Sequence, residues 1–168
     1  MGLFDLFTVK EDKKYINQLH ERFAEDFPNY PQERLIMLSC LAGIMARVAY
    51  VDFEIDKNEV AHIEKSLCHW MKLSRTEAHS VGEIAVEQMK QLCGMDTRKF
   101  CTPLNDLLSI EERFHILESL FELAASDGIV ENSEANEIDY ISKALLLEHK
   151  YFVTAKSQVK EYLASLRK

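Results

Sequence analysis

Four carboxylates recur at a fixed spacing and are the side chains of this sequence best placed to do chemistry. Asp52 precedes Glu59 by seven positions, Asp127 precedes Glu134 by the same seven, and the two pairs lie 75 positions apart. Carboxylate oxygens gathered from two places in a chain suit a hard divalent cation such as calcium. The same groups suit recognition of a protein partner. They also have a purely structural role. Glu59 and Glu134 fall three residues after Asp56 and Glu131, where a glutamate satisfies the free N–H groups of a helix start. Asp52 and Asp127 are placed to hold a turn by accepting nearby backbone amides. All three roles stay open on the sequence alone. Glu54, Asp56, Glu131 and Asp139 add negative charge around the turns in every case.

Other chemistries find little footing. There is no Gly-rich phosphate loop, nucleophile elbow or His-Glu-x-x-His string, so the sequence does not read as an enzyme. His62 and His69 lie seven apart on one side of a predicted helix and read as surface or boundary residues; Trp70 and Met71 at its end read as core. The cysteines, Cys40, Cys68, Cys93 and Cys101, include no C-x-x-C pair. Cys40 and Cys68 sit in apolar helical patterns as small, reduced hydrophobes, which fits a cytoplasmic protein. A zinc site drawn from Cys93, Cys101, His62, His69 or His79 matches no ligand framework.

The elements that must position the carboxylates are helices. With only five Gly and three Pro in 168 residues, breakers are too scarce for many short strands. A hydrophobic fraction of 47% beside 29% charged residues is ample for a packed core. A net charge of −8 argues against nucleic acid, whose phosphates need a basic surface, and no apolar run is long enough for a membrane span. Met1-Gly2 opens like a myristoylation signal, but Leu6 stands where that signal needs Ser or Thr. Leu3, Phe4, Leu6 and Phe7 are expected to form a short arm docked on the domain.

Periodicity places helices at about 10–27, 31–51, 56–73, 74–93, 96–108, 110–126, 133–147 and 149–167. Ser74-Arg75-Thr76-Glu77 is a capping box, and Ser109-Ile110-Glu111-Glu112 opens another long helix. The helix at 31–51 is apolar nearly all round, so it belongs at the centre. The predicted fold is all-α: one bundle of about seven to eight helices, with residues 1–30 forming an arm and first helix and 31–168 the main body.

An internal repeat organises this bundle. Ala49/Ala124, Asp52/Asp127, Glu59/Glu134 and Ile63/Ile138 match in one register, with apolar pairs Leu41/Ile116, Met45/Leu120, Val48/Leu123 and Ile55/Val130. Two pseudo-symmetric helix–turn–helix units are expected. Asp-Gly-x-Val-x-x-x-Glu could end a calcium-binding EF-hand loop, yet the first and third ligand positions would be Leu123 and Ala125, or Val48 and Tyr50, and none carries a carboxylate. The EF-hand reading fails.

The doubled pattern Ala-x-x-Asp-(Gly)-x-(Ile/Val)-x-x-x-Glu-x-x-x-Ile resembles the TerB family, which includes tellurite-resistance proteins and the N-terminal domain of DjlA-type co-chaperones. The resemblance spans roughly residues 35–148. It implies a helical, non-enzymatic stress-response module whose acidic turns bind a divalent cation or a protein partner, and it points to Asp52, Glu59, Asp127 and Glu134. The alternative it offers is a ligand-free regulatory or oligomerisation domain, with a second copy as partner. Phe53 departs from the family's glycine, and no His-Pro-Asp tripeptide marks a J-domain.

Overall fold

Among the described residues eight helices run in the order α1 (Lys10–Asp26), α2 (Gln32–Ala49), α3 (Lys57–Met71), α4 (Arg75–Gln91), α5 (Arg98–Leu107), α6 (Ile110–Ala124), α7 (Asn132–Ala144) and α8 (His149–Gln158). This is a computed structural model that describes residues 10–91 and 96–167, with side chains from residue 18 onward. The N-terminal apolar arm, Cys93 and Gly94 fall outside the described residues. No helix among the described residues is long and apolar enough to cross a membrane.

The helix starts follow from local side-chain chemistry. Ser109 Oγ accepts the Glu112 N–H at 3.2 Å while Glu112 Oε2 accepts the Ser109 N–H at 2.8 Å, and Ser74 with Glu77 repeats this exchange at α4. Each pairing satisfies two donors that a helix start leaves without an intrahelical partner.

Helix α2 is central, touching α1, α3, α4, α5, α6 and α7. Its buried residues surround the axis, including Leu35, Leu38, Leu41, Ile44 and Val48. Gly43 sets the approach of α5: a Cβ there would stand 2.5 Å from the Phe100 ring, so only a bare backbone lets Phe100 come this close to α2. Leu19 and Phe23 of α1, and Phe27 just past its end, are buried, as their spacing of four requires. Arg113 ties three helices together, its guanidinium donating to the Leu145 carbonyl at 2.6 Å and to Asn105 Oδ1 at 3.2 Å.

The last helix differs from its expected extent. The periodicity runs to about 167, but α8 stops at Gln158 and gives way to 3₁₀ turns at Lys160–Tyr162 and Ala164–Leu166. Leu163 between them is extended, with φ −66° and ψ 120°. Burying both Val159 and Leu163 while pairing the backbone with Val130 in an isolated parallel bridge requires the chain to leave the helix. Cys40 and Cys101 are buried and free, and Cys68 is half-buried and free.

Candidate acidic site

The two acidic turns close by the same local bonds. In the first, the Phe53 N–H donates to the Tyr50 carbonyl at 3.0 Å and the Glu54 N–H to Asp52 Oδ1 at 3.1 Å. In the second, the Gly128 N–H donates to the Ala125 carbonyl at 3.0 Å and the Ile129 N–H to Asp127 Oδ1 at 3.0 Å. Both turns need one residue with positive φ, supplied by Phe53 at 67° and Gly128 at 99°. Glycine takes this conformation freely, whereas a phenylalanine pays a steric cost for it. The departure at Phe53 therefore leaves the turn's handedness intact.

Each turn then starts a helix. Glu59 Oε2 accepts the Asp56 N–H at 2.7 Å at the start of α3, and Glu134 Oε2 accepts the Glu131 N–H at 2.8 Å at the start of α7. Among the described residues the second oxygen, Oε1, of each glutamate takes no hydrogen bond from the protein.

Packing brings the turns face to face. Helix α3 rests against α6 and against the Ala125–Asp127 turn, while α7 rests against α2. The result is one cavity of about 350 Å³ lined by Asp52, Glu54, Ile55, Asp56, Glu59, Asp127, Glu131 and Glu134. The four carboxylates singled out by spacing thus share one wall-to-wall space, and Glu54, Asp56 and Glu131 join them. Asp139 does not line the cavity; its Oδ2 pairs with Lys143. Among the described residues, no three His, Cys, Asp or Glu side chains stand at metal-ligand spacing, so the carboxylates ring the space without closing on a common point.

The electrostatics of the cavity follow from burial and crowding. Glu59 and Glu134 are only 6% and 8% exposed. Burial pushes the Glu134 carboxyl up to about 8; its bond from the Glu131 N–H opposes this, and the Glu59, Asp127 and Asp52 charges add to it. Burial likewise raises Glu59 to about 7, against the Asp56 N–H and with the Asp127, Asp52 and Asp56 charges reinforcing the rise. Desolvation and like charge both disfavour the ionised form. A glutamate from each turn is therefore held where its negative charge lacks compensation.

The histidines stand elsewhere. His62, half-buried, faces Glu122 at 3.9 Å across a groove between α3 and α6, and burial lowers its basicity. His69 packs edge-on against Trp70, which is partly buried, while Met71 is in the core. His79 pairs with Glu64 at 2.7 Å.

Sequence spacing did not show that the second turn has a third support. The Val130 N–H donates to the Tyr162 carbonyl at 2.7 Å and the Ala164 N–H to the Val130 carbonyl at 2.9 Å, with Arg167 donating to the Gly128 carbonyl. One ladder pair and one side-chain bond leave no periodic trace in a sequence.

A family model described as tellurite resistance protein TerB matches residues 38–157, which includes both turns and all eight cavity residues. Comparison with curated proteins and with solved structures found no match to the chain.

Proposed function

This chain belongs to the TerB family, and from that premise we propose that it is a non-enzymatic, cytoplasmic binding module whose acidic cavity takes a divalent cation such as calcium. The observation that carries the reading is the burial of Glu59 and Glu134 in one cavity, each with one oxygen fixed by a helix start and the other uncommitted. A cation would displace the protons that burial favours on these carboxyls and compensate the charge they then carry. The donors are all oxygens, which suits calcium or magnesium over softer ions. Asp52 and Asp127, exposed at the rim, would close the set, and the space between the rings of carboxylates leaves room for retained waters.

Titration with calcium, magnesium and zinc followed by NMR and thermal unfolding tests this. A cation that binds the folded chain alone raises the melting temperature with its concentration. Changing Asp52 and Asp127 together to Asn keeps the turn-closing oxygens, so helix content should stay the same while the cation-dependent rise disappears. A wild-type melting temperature indifferent to all three cations overturns the reading.

A second reading, docking of a protein partner, draws on Phe53. Phe53 is 65% exposed beside the cavity, and its ring packs edge-on against Tyr50. An exposed aromatic next to concentrated negative charge fits a basic segment of another protein. Loss of partner capture on Phe53→Ala, with cation response unchanged, would separate this reading from the first.

A further inference from the structure

We infer that the C-terminal segment from Tyr162 to Arg167 is a positioning element of the acidic cavity, setting the orientation of Asp127 and Glu134. This inference rests on the cation reading above. The argument turns on peptide planes, because the C=O of one residue and the N–H of the next are fixed in a single rigid unit. The Val130 carbonyl and the Glu131 N–H share one plane. Ala164 grips its carbonyl side at 2.9 Å, and Glu134 Oε2 accepts from its N–H side at 2.8 Å. The Gly128 carbonyl and the Ile129 N–H share another. Arg167 grips its carbonyl side, and Asp127 Oδ1 accepts from its N–H side at 3.0 Å. Two planes therefore each carry a site carboxylate on one edge and the C-terminal segment on the other. The Val130 N–H, bonded to the Tyr162 carbonyl at 2.7 Å, locks the peptide between them.

The grip is anchored, since Val159 and Leu163 are buried in the core on either side of Tyr162. It is also one-sided. In the first turn the corresponding planes begin with the Phe53 and Ile55 carbonyls, and among the described residues neither carbonyl accepts a hydrogen bond from the protein. The second turn is a preorganised half of the site, and the first is the half that adapts. Apparent affinity scales with the fraction of molecules in the binding-competent shape. Loosening the grip therefore weakens cation binding even though no residue of the segment lines the cavity.

Calcium binding measured by calorimetry on the full chain tests this with variants that spare every carboxylate. Ala164→Pro deletes the N–H that holds Val130. Position 164 opens a 3₁₀ turn, and Leu163 already has the extended backbone a residue before proline adopts, so the change fits locally. Arg167→Ala removes the second grip, and Arg167→Lys restores a donor to it. Ala164→Pro and Arg167→Ala should each weaken calcium binding about three- to ten-fold, the worth of one hydrogen bond, with Arg167→Lys recovering most of the loss. In the wild type, calcium should slow hydrogen exchange at the Val130 and Ala164 amides, a response that a merely structural contact does not give. Wild-type calcium affinity in both Arg167→Ala and Ala164→Pro, or amide exchange at 130 and 164 unmoved by calcium, overturns the inference while leaving the cation reading in place. A wild-type chain that binds no calcium removes both. Should Ala164→Pro fail to fold, the Arg167 pair decides the matter alone.

Discussion

The two acidic turns share their internal bonds and differ in what holds them from outside. The second has glycine at its left-handed position and a segment of backbone laid along it; the first has an exposed phenylalanine there, and among the described residues its Phe53 and Ile55 carbonyls accept no hydrogen bond. Identical hydrogen bonds within a turn therefore do not make identical turns. Conformational cost and external support decide how rigid each one is.

The largest effect should come from the anchor of the second turn. Leu163→Ala removes a buried side chain and leaves a cavity, which should cost about 2–5 kcal/mol in denaturant unfolding. Ile55→Ala, the first turn's counterpart to Val130, sits at a half-buried position and should cost less than half as much. Equal losses would mean that the two turns are supported alike.

Next in size is the effect of pH. Folding lifts the Glu134 carboxyl to about 8 and Glu59 to about 7. In the unfolded chain both titrate in the ordinary glutamate range. Between those limits the folded state binds protons that the unfolded state has released, so each rise in pH across the window favours unfolding. Below the ordinary range both states are protonated and the penalty vanishes. Cation-free stability should therefore fall as pH rises from about 5 to about 8.5. Glu134→Gln should stabilise the cation-free protein at pH 8.5 by about 1–3 kcal/mol, with Glu59→Gln giving a smaller gain. Melting curves across that range check both, and a destabilised Glu134→Gln at high pH would show that helix capping outweighs the burial of charge.

The smallest effects should come from the left-handed residues. A Cβ on Gly128 meets nothing within 4 Å, so Gly128→Ala should cost only the backbone term, about 1–2 kcal/mol. Phe53→Gly relieves the same term but gains freedom when unfolded, for a net stabilisation of about 0.5–1 kcal/mol. Thermal unfolding of the two variants should move in opposite directions.

Much of this architecture could be read in the residues themselves. The Ser109/Glu112 and Ser74/Glu77 boxes mark helix starts because the bonds they make are local, and the nearly all-apolar run of α2 marks a centre because only a central helix has no face for water. The spacing of Asp52, Glu59, Asp127 and Glu134 marks two turns for the same local reason. That these turns share a cavity depends on α3 resting against the second turn, a contact between residues far apart in sequence. The end of α8 was hidden because Val159 and Leu163, four apart, satisfy a helical pattern as well as they satisfy the bent segment that replaces it.

The spread of the cavity along the chain also bears on when it can exist during synthesis. Its walls come from residues 52–59 and 127–134, and the backbone that steadies one wall comes from residue 164. A nascent chain with only its first four helices outside the ribosome has four of the seven cavity carboxylates and nothing opposite them. Local helices can form as they emerge, but the negatively charged pocket is assembled only when nearly all of this sequence has been translated. Occupancy of the pocket would thus distinguish a chain extended past residue 164 from one cut short of it, a form of length measurement made by the fold itself.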